Sequence, residues 1–155
     1  MDLVLVGDGP MAEVLKQQAA VLSRVRFLGW LPNQEVQRVM GGALAICVPS
    51  VAARTGDSEG LPNVVLEAMA CALPVIGSNI AGIAKAVEHD NTGFLVPPAD
   101  PPAIGRVARQ LRGDPALRSR MGFAARTAAT ERFSGIAQSR MLEDALLAVS
   151  NGQVV

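Results

Sequence analysis

Glu59 and Glu67 stand eight positions apart in the stretch EGLPNVVLEAMA, the first in a Gly/Pro-bearing loop and the second inside an apolar helical pattern. Pro62 suits a first helical position, where its missing N–H would be unpaired anyway, so the pattern predicts a helix from about 62 to 71. The first backbone N–H groups of that helix, those of Asn63 and Val64 among them, have no intrahelical acceptor. Together with the helix dipole they form a partly positive socket for an anion such as a phosphate. Glu67 flanks this socket. Helical side chains lean toward the N-terminus, so its carboxylate is aimed back at the opening, where it can accept hydrogen bonds from hydroxyls. Glu59 lies on the other side, ahead of Gly60 and Leu61. One carboxylate on each side of a phosphate socket suits a nucleotide-sugar, which has hydroxyls on both sides of its phosphates. Acids near a helix start also offset the dipole with no ligand present, so spacing alone does not choose between the two.

The elements that must position these residues alternate in type. Short apolar runs predict strands at about 3 to 6, 25 to 28, 43 to 48, 74 to 77 and 93 to 96. Helical patterns fall between them at about 10 to 22, 33 to 41 and 62 to 71, with a short turn near 82 to 88. This is the rhythm of a parallel sheet with helices on both faces, a Rossmann-like, doubly wound α/β fold. From about residue 100 the pattern is helical only. Asp100 before Pro101 and Asp114 before Pro115 each read as a cap followed by a first-turn proline. Ile104, Val107 and Leu111 form one buried stripe, Leu117, Met121 and Ala125 a second, and a last helix is expected near 134 to 149. No linker or repeat interrupts the chain, so residues 1 to 155 read as a single domain with a helical tail.

Composition removes several function classes. Half of the 155 residues are apolar, enough for a sizeable core, but there are only four Phe, one Trp and no Tyr. Stacking platforms for single-stranded nucleic acid are nearly absent. Fourteen basic and fourteen acidic residues cancel, so no global field draws the chain to polyanions, and no nucleic-acid partner is expected. The balance is uneven locally: residues 101 to 140 hold eight arginines against Asp114 and Glu131. That patch fits an anionic membrane surface, the solvated face of ordinary helices, or a contact for a further domain. His89 is the only histidine, so no histidine-based triad or multi-histidine metal site can be built, and no metal is expected. Cys47 and Cys71 sit in apolar runs without metal-binding spacing and read as buried, inert thiols. No apolar run reaches membrane-spanning length and the start lacks a signal-peptide pattern. The expectation is a cytoplasmic protein, with peripheral contact at the inner membrane face as one use of the arginines.

Several strings in order resemble the retaining family 4 glycosyltransferases. They are LVLVGDGP, FLGWLP, the pair Pro49 and Ser50, then Glu59, Gly60, Glu67, Ala68, Met69 and Ala70, followed by ALPVIGSNIAGI, NTGFLVPPAD and ERF. The resemblance covers most of the chain and implies the C-terminal, donor-binding half of a GT-B architecture, closest to enzymes of exopolysaccharide and colanic-acid-like polymers. By matching position it implies that Glu59 contacts the donor hexose and serves the reaction centre, that Glu67 contacts the ribose, and that the backbone from Gly60 and Leu61 to Asn63 and Val64 holds the diphosphate. Leu28, Gly29 and Trp30 are expected to line the base, with a place in the core as the alternative for Trp30.

Two departures stand out. The family's Gly-Gly-Ile-Pro-Glu is here Ala81, Gly82, Ile83, Ala84 and Lys85, so a cation replaces a carboxylate, either to hold phosphate or as a surface lysine. The family's acceptor domain and its first, central strand, with the cations that clamp the diphosphate, would precede this chain. In a sheet of order 3-2-1-4-5-6 that omission leaves a gap, predicted to close by direct pairing of the strands ending near Val6 and Pro49 or by a strand from another chain, such as a second copy. A rival reading is a dinucleotide-binding oxidoreductase domain, since Gly7, Gly9 and Ala12 satisfy Gly-x-Gly-x-x-Gly/Ala. Against it, the next strand ends in Phe27, Leu28, Gly29 and Trp30 rather than a ribose-binding acid. The alternative to dinucleotide binding at that turn is a plain strand-to-helix turn, with Gly9 supplying an unusual dihedral. A second rival is a non-catalytic nucleotide-binding fragment, because half a cleft cannot hold donor and acceptor together.

Overall fold

The computed structural model describes residues 1–51, 60–139 and 143. They divide into two compact units, Met1–Gly42 and Ala43–Val155.

The first unit contains β1 (Leu3–Leu5), α1 (Ala12–Gln18), β2 (Val25–Phe27) and α2 (Asn33–Gly41). β1 and β2 pair in parallel, Leu3 opposite Val25 and Leu5 opposite Phe27. The turn after β1 is fixed by the Gly7 N–H donating to the Gly29 carbonyl at 2.7 Å. Gly7, not Gly9, supplies the unusual dihedral, with φ +119°, and Gly29 sits at φ +66°. Among the described residues of this unit only Met40 is deeply buried, and α1 buries none of its side chains.

The second unit holds β3 (Ile46–Val48), α3 (Asn63–Ala70), β4 (Val75–Ser78), α4 (Ala81–Ala86), β5 (Gly93–Val96), α5 (Pro101–Gly113) and α6 (Pro115–Arg132). Its sheet runs β3-β4-β5, all parallel, with Ile46 opposite Val75 and Ser78 opposite Val96. Alternation along β4 splits the core in two. Val75 joins Val48, Val65, Met69, Ile83 and Ala125 on one side, while Ile76 joins Phe94, Ala103, Leu111 and Met121 on the other. Helix α6 contributes to both clusters.

The strand pairings are those of the expected doubly wound order with its middle strand left out: β2-β1 in one sheet and β3-β4-β5 in the other. Within the units, β1 pairs with β2 and β3 with β4. The helical tail is as the sequence predicts. Asp100 accepts from the Ala103 N–H and Asp114 from the Leu117 N–H, each at 2.9 Å, and Leu111, Met121 and Ala125 are buried. Of the helix expected at 134 to 149, residues 135–139 are helical and start from the Ser134 hydroxyl, which accepts from the Ala137 N–H. Residue 143 is helical as well, and the others of that span fall outside the described residues. Cys47 is exposed and Cys71 half-buried, contrary to the expectation of buried thiols. Cys47 faces the side of β3 opposite Ile46 and Val48, the two residues that pack toward α3.

Helix α6 approaches the end of α3 so closely that a Cβ on Gly122 would lie 2.1 Å from the Ala72 carbonyl oxygen. Gly122→Ala is expected to cost about 1–3 kcal/mol by overpacking. Asp114→Ala should cost about 1 kcal/mol through loss of the cap. Urea unfolding of the two variants beside the native chain checks both, and an unshifted Gly122→Ala midpoint would contradict the close approach.

Candidate functional site

The socket predicted at the start of α3 is built from the inside outward. Val65, Ala68 and Met69, at spacings of three and four, have no exposed surface and fix the helix against β3, β4 and α6. That registration leaves Asn63, Glu67 and Ala70 on the solvent side, with Asn63 and Glu67 one turn apart on the same exposed strip. Glu67 makes no ion pair and no side-chain hydrogen bond among the described residues.

The helix starts one residue later than the sequence suggests. Pro62 has φ −62° but ψ 128°, so it is the extended capping residue and Asn63 is the first helical one. A proline brings no side-chain acceptor, and no side-chain cap is formed. The Val65 N–H turns back to the Pro62 carbonyl at 3.0 Å, whereas the N–H groups of Asn63 and Val64 precede any intrahelical acceptor and find none among the described residues. They open beside the carboxyl ends of the parallel strands, the edge at which open α/β sheets take ligands.

Gly82, in the first turn of α4, is a residue whose role the sequence did not disclose. A Cβ there would meet the Leu61 backbone N at 2.5 Å and Cα at 2.6 Å. The backbone leading into α3 therefore rests directly on α4. A second brace is Arg132 at the end of α6, which donates to Glu88 at 2.6 Å and to the Lys85 carbonyl at 3.0 Å while lying over the Phe133 ring. These partners are more than forty positions apart, so no local pattern pointed to them; the quoted ERF string was the available signal. Lys85 itself is exposed in the last turn of α4.

Of the other expected site residues, Gly60 is exposed and Leu61 packs partly onto the core beneath α3. Glu59 lies outside the described residues. Leu28 and Gly29 belong to the first unit, where the Leu28 N–H donates to the Leu5 carbonyl at 2.9 Å. Trp30 is 69% exposed, which removes the reading of it as a core residue. No cluster of metal-ligating side chains occurs among the described residues, and none of their helices is long and apolar enough to cross a membrane.

A family model described as glycosyl transferases group 1 matches residues 1–114. The chain belongs to this family. It is 33% identical over 113 residues to the amylovoran biosynthesis glycosyltransferase AmsK of Erwinia amylovora, covering 71% of this chain and 28% of that protein. It is 34% identical over 105 residues to the putative colanic acid biosynthesis glycosyltransferase WcaL of Escherichia coli, covering 66% of this chain and 26% of the relative. The chain thus spans little more than a quarter of either. Among solved structures, Anabaena Alr3699/HepE in complex with UDP-glucose superimposes with a TM-score of 0.80 at 25% identity, over 95% of this chain and 41% of that one. The fold is the expected part of a GT-B glycosyltransferase, and the relatives are bacterial polysaccharide enzymes, as the resemblance implied. None of these similarities supports the oxidoreductase reading.

Gly82→Ala must push the Leu61 backbone away, so it is expected to cost about 1–3 kcal/mol. Faster amide exchange than in the native chain at Val65, whose N–H donates to the Pro62 carbonyl, is the matching local signature. Native exchange rates there would show that α4 does not brace the entry to α3.

Proposed function

We propose that the chain is the donor-binding domain of a retaining glycosyltransferase, which moves a hexose from a nucleotide-sugar to a glycan or lipid-linked acceptor. The supporting observation is the start of α3: two backbone N–H groups that find no acceptor among the described residues at the carboxyl edge of the sheet, with the exposed Glu67, which has no partner among those residues, one turn along the same strip. In this reading the N–H groups of Asn63 and Val64 receive the diphosphate, with Gly60 and Leu61 leading the backbone up to it. Glu67 accepts from the ribose hydroxyls. Glu59 is assigned to the hexose beside the reacting carbon by its place in the sequence. Leu28 and Gly29, in the first unit, are assigned to the base on sequence grounds alone.

The chemistry follows from where charge develops. The bond between the anomeric carbon and the diphosphate oxygen breaks, and a new bond forms from an acceptor hydroxyl on the same face of the sugar. The acceptor's proton leaves with the diphosphate. Charge accumulating on that leaving group is what pre-oriented N–H groups stabilise, without a metal ion in this proposal. The acceptor and the opposing cations are assigned to a domain outside this chain, so the 155 residues alone are expected to bind donor without turnover. The open edges of β1 and β3 are assigned to a strand from outside the chain, a second copy being one source. Light scattering that returns a monomer removes that source. The cytoplasm, where nucleotide-sugars are made, is the proposed compartment.

UDP-glucose is the first donor to test, because the Anabaena relative was crystallised with it. Glu67→Ala is expected to weaken its binding by about 1.5–3 kcal/mol, the range for a hydrogen bond to a charged group. The same variant should lose a similar amount for UDP. Glu59→Ala should weaken UDP-glucose and leave UDP nearly unchanged. Titration calorimetry of both variants with both ligands decides. Native affinity in Glu67→Ala ends the ribose assignment, and equal losses for the two ligands in Glu59→Ala end the hexose assignment.

A further inference from the structure

Helix α6 buries Met121, Gly122, Ala125, Ala128 and Ala129 and turns its opposite side outward. Phe123 lies at the middle of that side with 75% of its surface exposed. At 3.6 residues per turn, Ser119, Arg120, Arg126 and Thr130 surround it on the same side, and all four are exposed. Glu131, the only acid of α6, falls roughly 80° away around the helix axis. Helix α5 adds exposed Arg106, Arg109 and Arg112 and carries no acid. Of the arginines on these two helices, Arg118 donates to the carbonyls of Leu111 and Arg112, and Arg132 pairs with Glu88. The other five have no ion pair among the described residues.

We propose that this side of α6 docks on an anionic lipid bilayer, with the Phe123 ring entering the headgroup layer and Arg120 and Arg126 meeting lipid phosphates. An aromatic ring favours the boundary between water and apolar chains, and guanidinium groups pair with phosphate in a two-pronged fashion. Charge complementarity identifies the occupant: guanidinium groups without ion-pair partners among the described residues on either side of an exposed ring, in a chain whose net charge is zero. The attraction is therefore local to these helices. A nucleic acid would engage the same arginines but would leave the central ring without a role. The proposal stands apart from donor binding and does not depend on it.

Sedimentation of the 155-residue chain with vesicles tests it. Binding is expected to vesicles of phosphatidylglycerol and phosphatidylcholine in equal parts, to weaken as salt shortens the screening length, and to be absent on phosphatidylcholine alone. The double variant Arg120→Gln with Arg126→Gln should lower the partition coefficient about 25-fold, on the order of fivefold per cation. Phe123→Ser should lower it on the order of tenfold. Arg26→Gln with Arg38→Gln, which removes two exposed charges from the first unit, should leave it near the native value. Urea midpoints of the α6 variants are expected to match the native chain, since these side chains are exposed. Absence of native binding, equal binding to both vesicle types, an unchanged α6 variant, or an equal loss in the first-unit control would each overturn the proposal. So would tight binding of a duplex oligonucleotide that Phe123→Ser leaves intact.

Discussion

The candidate site depends on one packing arrangement: Val65, Ala68 and Met69 of α3 wedged between the β3-β4-β5 sheet and α6. Once those three positions are inside, the geometry of a helix puts Asn63 and Glu67 outside on one strip and aims the free N–H groups past the strand ends. Truncating Met69 would remove not only about 2–5 kcal/mol of buried side chain but also the register that points the site outward. Ala129, Ala128 and Ala125 on α6 are small where the two helices meet, and Gly122 permits contact with the Ala72 backbone. Small residues in α6 and large ones in α3 are two halves of the same interface.

The braces around that wedge are made differently. Gly82 lets α4 touch the backbone at Leu61, so the approach to α3 is limited by sterics rather than by a side-chain cap. As the capping residue Pro62 brings no side-chain acceptor, so the N–H groups of Asn63 and Val64 after it are left without a partner among the described residues. A serine or aspartate at that position would stabilise the helix and occupy the same donors. Arg132 then joins α6 to the loop after α4 with hydrogen bonds that are half exposed, so it contributes to orientation more than to stability.

The two units differ in how much they bury. The second has two apolar clusters, one on each face of its sheet. The first leaves Leu3, Val6, Met11, Val14 and Val21 exposed over a two-stranded sheet. A pair of parallel strands with two helices offers too few layers to cover its own apolar residues. That accords with a family in which this segment is a small share of a longer protein.

The sequence by itself determined the elements and their order. The alternation of apolar runs with helical periods, the Asp-Pro starts at 100 and 114, and the two stripes, Ile104, Val107 and Leu111 and then Leu117, Met121 and Ala125, are all local signals; in the structure Leu111, Met121 and Ala125 are buried and Ile104, Val107 and Leu117 partly so. Family membership was legible for the same reason, in strings such as EGLPNVVLEAMA that are contiguous along the chain. Tertiary structure alone decided that Pro62 caps rather than opens α3, that Gly7 rather than Gly9 takes the strained dihedral, and that Trp30 is exposed. It also disclosed Gly82 against Leu61 and Arg132 against Glu88. These depend on which distant segments meet. A periodicity reports which face of an element is apolar, but it does not say what covers that face.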